Sequence, residues 1–143
     1  MKITHRIAAV LLFVFCAGHT AGTVLGRSPA PAADAVLSAM RTVHFDFHGV
    51  DRTFYNMFLG LAALTSVYLA GSALFAWMLS SVDAAAWRTV RAPAWALAIA
   101  QLGTATVAWL AFFPGPALLS SAAVVLLIVG NVRGPRSLAA RRL

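Results

Sequence analysis

Residues 54–80 read FYNMFLGLAALTSVYLAGSALFAWMLS, a run without a single Asp, Glu, Lys, Arg or His. A helix needs roughly 20 residues at 1.5 Å each to cross the ~30 Å hydrocarbon layer of a bilayer, and this run exceeds that. It is apolar on every side of a helix, so no face is left for water. Lipid is the solvent that suits it.

Working outward, three more apolar runs occur at 7–26, 93–113 and 117–132. The first two are long enough to cross. The last is short, so it must start within the Pro114-Gly115-Pro116 turn, sit at a thin spot, or be a half-span. The fold class expected is all-α: a single integral membrane four-helix bundle over residues 1–143. Lys2 and Arg6 ahead of an apolar stretch also fit a signal peptide. The one small-residue cleavage site would put His19 at its −3 position, so the segment is read as a retained span.

The composition of the 143 residues agrees, with 61% hydrophobic and only 10% charged. The formal charge of +7 comes from eleven cationic residues spread over both ends and the loops. There is no basic stripe and no aromatic stacking platform, which excludes a nucleic-acid interface. The single cysteine, Cys16, rules out an intrachain disulfide and a dithiol redox or zinc motif.

Orientation follows from Lys/Arg bias. Lys2 and Arg6 precede the first span, Arg88 and Arg91 link the second and third, and Arg133, Arg136, Arg141 and Arg142 lie in the tail, 133–143. These segments belong in the cytoplasm, giving both termini inside a bacterial-type inner membrane. The opposite, periplasmic side carries the uncharged turn around Pro114 and the loop 27–53, where Arg27, Arg41 and Arg52 are balanced by Asp34, Asp46 and Asp51. Trp87, Trp95 and Trp109 fall near span ends, as interface-seeking aromatics do. The Pro-Ala stretch from Ser28 to Ala33 ends the first helix. After it Val36, Leu37, Met40 and Val43 recur at helical spacing, with Asp34 as the expected N-cap. This predicts a short helix over 34–43, either lying on the membrane surface or packed over the bundle mouth.

The polar residues are concentrated. Three of the four Asp and three of the four His lie between His19 and Arg52, and the chain has no Glu. Cys16, His19, Thr20 and Thr23 share one face of the first span. His19 sits about 10 Å inside its outer end, a depth at which an ionisable side chain needs a protein partner or a function. Gly18, Gly22 and Gly26 form a ridge on the adjoining face, expected to pack against a helix of the same chain or to make a homodimer contact. In the run from His44 to Arg52, an extended chain would put His44, Asp46 and His48 on one side and Phe45 and Phe47 on the other. In a helix His44 and His48 would still share a face. His19, His44, Asp46 and His48 are therefore a candidate zinc or copper set, with Asp51 behind them. Arg52, Tyr55 and Asn56 are candidate ligand-binding residues for an anionic or carbonyl headgroup, and Asp51 is expected to pair with Arg41 or Arg52. Thr65, Ser66, Gln101, Thr104 and Thr106 are candidates for hydrogen bonds between helices. With no acidic residue in a span, a proton- or sodium-coupled transporter is disfavoured. A bis-histidine haem is disfavoured too, since His19 is the only histidine read as lying inside a span.

The Gly18-His19-Thr20 run near the end of the first span and the Asp51-Arg52-Thr53-Phe54 run opening the second resemble those of small uncharacterised four-helix inner-membrane proteins in the size range of DoxX-like proteins. The resemblance implies a four-helix bundle. It brings no activity, cofactor or catalytic residue.

Three functions compete. In the binding reading, the polar periplasmic mouth holds a metal ion or the headgroup of an amphipathic small molecule. In the enzyme reading, His19, Asp46 or Asp51 acts as the base on a lipid, isoprenoid or quinone, and Arg52 or Tyr55 stabilises the developing charge. In the structural reading, the chain is an accessory subunit of a larger membrane complex.

Overall fold

The computed structural model describes residues 2–26 and 30–134. Arg27 of the loop, Ser28 and Pro29 of the Pro-Ala stretch, and Arg136, Arg141 and Arg142 of the basic tail lie outside them. The order of elements is α1 (Lys2–Leu25), α2 (Pro31–Thr42), β1 (His44–Phe47), β2 (Val50–Thr53), α3 (Phe54–Ser81), α4 (Trp87–Ala111) and α5 (Pro114–Arg133). The fold is overwhelmingly helical. Four helices, α1, α3, α4 and α5, are long and apolar enough to cross a membrane.

The helices extend past the apolar runs read from the sequence. Helix α1 begins at Lys2 rather than Ile7, which brings Thr4 and His5 into it. Helix α4 begins at Trp87 and runs through Pro93, which was expected to open the span. Pro93 stands where it removes one hydrogen bond from the second turn, a loss the rest of a long helix tolerates. The short fourth span is resolved by its prolines. Pro114 and Pro116 occupy the first turn of α5, where an N–H has no intrahelical acceptor and the fixed φ of proline suits a helix start. The 20 residues of α5 then reach about 30 Å.

The chain divides into two compact units, Met1–Phe15 with Leu69–Leu143, and Cys16–Tyr68. The first contains the start of α1, the end of α3, and α4 and α5. Its core is a set of small and aliphatic side chains, Ala8, Leu12, Leu69, Ala76, Leu79, Ala94, Ala117, Ala123 and Leu127, nearly all of them fully buried. Alanines at the crossings let the helices approach closely, which is how packing is gained where lipid supplies no hydrophobic drive. Polar contacts tie the same helices together. Gln101 Nε2 on α4 donates to Ser72 Oγ on α3 at 3.0 Å, and Trp109 Nε1 on α4 donates to Ser121 Oγ on α5 at 3.0 Å. The Arg6 guanidinium sits 5.6 Å from the Trp77 ring centroid.

The second unit contains the end of α1, helix α2, the hairpin of β1 and β2, and the start of α3. The strands pair antiparallel, with His44 opposite Thr53, Phe45 opposite Arg52, Asp46 opposite Asp51 and Phe47 opposite Val50. His48 and Gly49 make the connection, with φ of 54° and 81°. Positive φ at both positions is the two-residue type I′ turn, whose twist matches that of paired strands. Helix α2 starts three residues earlier than expected. Its N-cap is Ala30 with Pro31 at the first helical position, so Asp34 is a first-turn acid favouring the helix dipole rather than the cap.

Candidate functional site

One polar seam joins α1 to α3 within the second unit. The face of α1 carrying Cys16, His19, Thr20 and Thr23 meets Ala62 and Ser66 of α3. Cys16 Sγ donates to the Ser66 carbonyl at 3.2 Å, and Thr20 Oγ1 lies 2.9 Å from Ser66 Oγ. His19 Nε2 lies 3.2 Å from the Ala62 carbonyl oxygen. A carbonyl only accepts, so His19 carries its proton on Nε2 and that nitrogen is committed to the helix contact. Thr23 donates to the His19 carbonyl at 2.9 Å, closing the seam on α1 itself. Of the other candidates for bonds between helices, Ser66 and Gln101 make them, whereas Thr65 and Thr106 each donate to the carbonyl four residues earlier. A hydroxyl with a backbone acceptor one turn away satisfies itself there at no cost in ordering.

The hairpin sorts its side chains by parity. His44, Asp46, Asp51 and Thr53 share one face, and Phe45, Phe47, Val50 and Arg52 the other. On the polar face His44 Nδ1 donates to Asp51 Oδ2 at 2.9 Å, with both side chains well exposed. Asp46 Oδ1 accepts the Gly49 backbone N–H at 2.6 Å and so fastens the turn. On the apolar face Phe45 stacks against Phe54 at 4.7 Å between centroids and meets Phe47 edge-on at 6.4 Å.

The metal set expected from His19, His44, Asp46 and His48 is not assembled. Among the described residues no three His, Cys, Asp or Glu side chains gather as metal ligands do. The physical reasons are local. His19 is held by α3, Asp46 by its own turn, and His44 by Asp51. His48 leaves the strand for a turn position, so it does not project with His44 and Asp46, and its ring stands 5.0 Å from that of Phe47. The expected pairing of Asp51 with Arg41 or Arg52 is also replaced by the His44 contact, because the diagonal neighbour on the same strand face is nearer than either guanidinium.

The ligand-binding candidates separate. Asn56 caps a helix: its Oδ1 accepts from the Thr53 N–H at 3.2 Å and the Thr53 hydroxyl at 2.9 Å, while Thr53 Oγ1 accepts the Asn56 N–H at 3.2 Å. This is a capping box at the start of α3, with Asn in place of the usual Glu or Gln. Tyr55 is joined to α2, for Arg41 Nη2 donates to its hydroxyl at 3.2 Å and the guanidinium lies 4.5 Å from its ring centroid. Arg52 is exposed and donates to the Asp51 carbonyl at 2.9 Å. Among the described residues neither Arg41 nor Arg52 faces a carboxylate.

A buried cluster in the first unit is one that the spacing of polar residues along the chain does not single out. His5 of α1 is fully buried, and its Nε2 lies 3.0 Å from Asn131 Oδ1 of α5. Asn131 Nδ2 donates to the Ala94 carbonyl of α4 at 2.9 Å, which fixes the amide and therefore makes His5 Nε2 the donor. Trp87, the first residue of α4, packs edge-on to His5 at 6.1 Å between centroids and is buried. His19 is thus not the only histidine inside a long helix. The signal that could have found this cluster is the Gly130-Asn131 pair, a gap next to a polar side chain. A Cβ on Gly130 would come within 2.5 Å of the His5 ring.

Around the glycine ridge the described residues leave space at two of its three positions. A Cβ at Gly18 or Gly22 would meet nothing within 4 Å. No family model matches the chain, and neither a curated protein nor a solved structure matches it.

Proposed function

We propose that this chain is a small inner-membrane protein, with both termini in the cytoplasm, whose periplasmic segment binds the anionic headgroup of an amphipathic small molecule. The Lys/Arg bias supports the orientation. One observation carries the ligand class: Arg41 and Arg52 are both exposed cations without a carboxylate partner among the described residues, beside the first turn of a long apolar helix. The acids that could have neutralised them are engaged elsewhere, Asp51 with His44 and Asp46 with the Gly49 N–H. Guanidinium suits a phosphate or carboxylate because it offers donors in a planar fork. Tyr55 holds the Arg41 fork in place before a ligand arrives. The absence of a gathered His/Asp set among the described residues favours this headgroup reading over a metal ion.

Native mass spectrometry in detergent tests it, with phosphatidylglycerol and phosphatidylcholine offered in equal amounts. The wild-type chain is expected to retain the anionic lipid preferentially, and the Arg41→Gln, Arg52→Gln double variant to lose that preference while keeping its melting temperature. Equal retention of both lipids by the wild type overturns the proposal.

A second reading, as an accessory subunit, rests on the open surface at Gly18 and Gly22. Small residues with open space above them let the helix of another chain approach closely.

A further inference from the structure

The geometry points to a membrane-seated hairpin: the Phe45, Phe47, Val50 and Phe54 face lies in the headgroup–acyl boundary of the leaflet where α3 begins, with Arg52 at phosphate level. The inference is independent of whether Arg41 holds a ligand.

Three observations carry it. The first is height. Strand β2 ends at Thr53 and α3 starts at Phe54, with no residue between them and the junction closed by the Thr53–Asn56 capping box. At 28 residues α3 is about 42 Å long, which matches the ~40–45 Å of a bilayer with its headgroups and exceeds the ~30 Å hydrocarbon core. Its first turn therefore sits in the headgroup layer. Four-residue strands reach only about 13 Å from that point, so the whole hairpin stays beside the interface.

The second is apolar exposure. Phe47, Val50 and Phe54 are 49%, 44% and 53% exposed on one contiguous face, though nothing in a watery loop favours three such side chains together. The rings are already ordered against one another through Phe45. Aromatic and aliphatic side chains at headgroup depth are the chemistry by which interfacial segments bind.

The third is charge segregation. Both carboxylates of the hairpin, Asp46 and Asp51, lie on the opposite face with His44, and Arg52 is the one formal charge on the Phe face. Seating the Phe face on lipid puts the cation against the phosphates and the two acids away from them. Reversing the hairpin would hydrate the phenylalanines and press both carboxylates onto the phosphates. The lipid surface is thus the occupant that satisfies both the apolar and the electrostatic pattern.

Site-directed spin labelling tests this on the full chain in phosphatidylethanolamine/phosphatidylglycerol vesicles. A Cys16→Ser background keeps a hydroxyl donor at the Ser66 carbonyl. Nitroxides are placed through Phe47→Cys, Val50→Cys and Asp51→Cys, and collision with oxygen is compared with collision with a water-soluble nickel chelate. The oxygen-to-nickel ratio at positions 47 and 50 is expected to be severalfold that at position 51. Should Phe47→Cys fail to fold, Val50→Cys leaves every phenylalanine in place and carries the comparison alone. Equal ratios at 50 and 51 overturn the proposal. Low accessibility to both reagents at 50 overturns it as well, since protein and not lipid would then cover the face.

Discussion

At His48 the backbone adopts φ 54°, a region that costs an L-residue roughly 1–2 kcal/mol and is worst for a β-branched side chain. The two-residue turn tolerates His there and prefers Asn, with Gly49 at φ 81° supplying the second positive φ. His48→Asn is therefore expected to slow hydrogen exchange of the hairpin amides, and His48→Val to accelerate it, by amounts corresponding to about 1 kcal/mol each way. Identical exchange in both variants would mean that the turn conformation does not limit the hairpin. The same residue shows why a side chain cannot be assigned to a site by alternation alone. Parity holds for His44 and Asp46 along the strand, but a turn resets it at the next polar position.

Among the elements, two glycines of the same type in two long helices have opposite meanings. Gly130 on α5 lies against the His5 ring and the Thr4 hydroxyl of α1, both of which come within 2.7 Å of the place a Cβ would take, whereas a Cβ on Gly22 of α1 meets nothing. Gly130→Ala is expected to push His5 off Asn131, leaving a buried donor unsatisfied at a cost of about 1–3 kcal/mol. Gly22→Ala places a methyl in open space and gains helix propensity, about 0.5–1 kcal/mol. Thermal melting in detergent should therefore show Gly130→Ala lowered and Gly22→Ala level or raised. Gly22→Leu should also leave the melting temperature of the isolated chain intact. A large loss at Gly22 would place a helix over that ridge, as an association between chains would.

For the whole molecule the testable property is how the chain threads the bilayer. A reporter inserted in the 83–86 turn between α3 and α4 is expected to report cytoplasm, and one at Phe112-Phe113 between α4 and α5 to report periplasm, since Arg88 and Arg91 flank the first and no cation flanks the second. The opposite pattern would invert the chain and place the hairpin in the cytoplasm.

The membrane class, the number of long helices and their approximate limits were legible from residue order because hydrophobic length is a one-dimensional quantity, and lipid admits few structures that satisfy it. The shared face of Cys16, His19, Thr20 and Thr23 was legible for the same kind of reason, being set by helical periodicity. Which acceptor each of those side chains meets was not. His19 bonds Ala62, forty-three residues away in the chain, and His5 bonds Asn131, one hundred and twenty-six residues away. Such pairings depend on which helix lies beside which, and on a gap such as Gly130 that only a packed neighbour makes meaningful. The dispersal of the expected metal set has that origin as well. Residue types and spacing allowed His19, His44, Asp46 and His48 to converge, but each imidazole and carboxylate is drawn to its nearest partner, and nearness is a property of the folded chain.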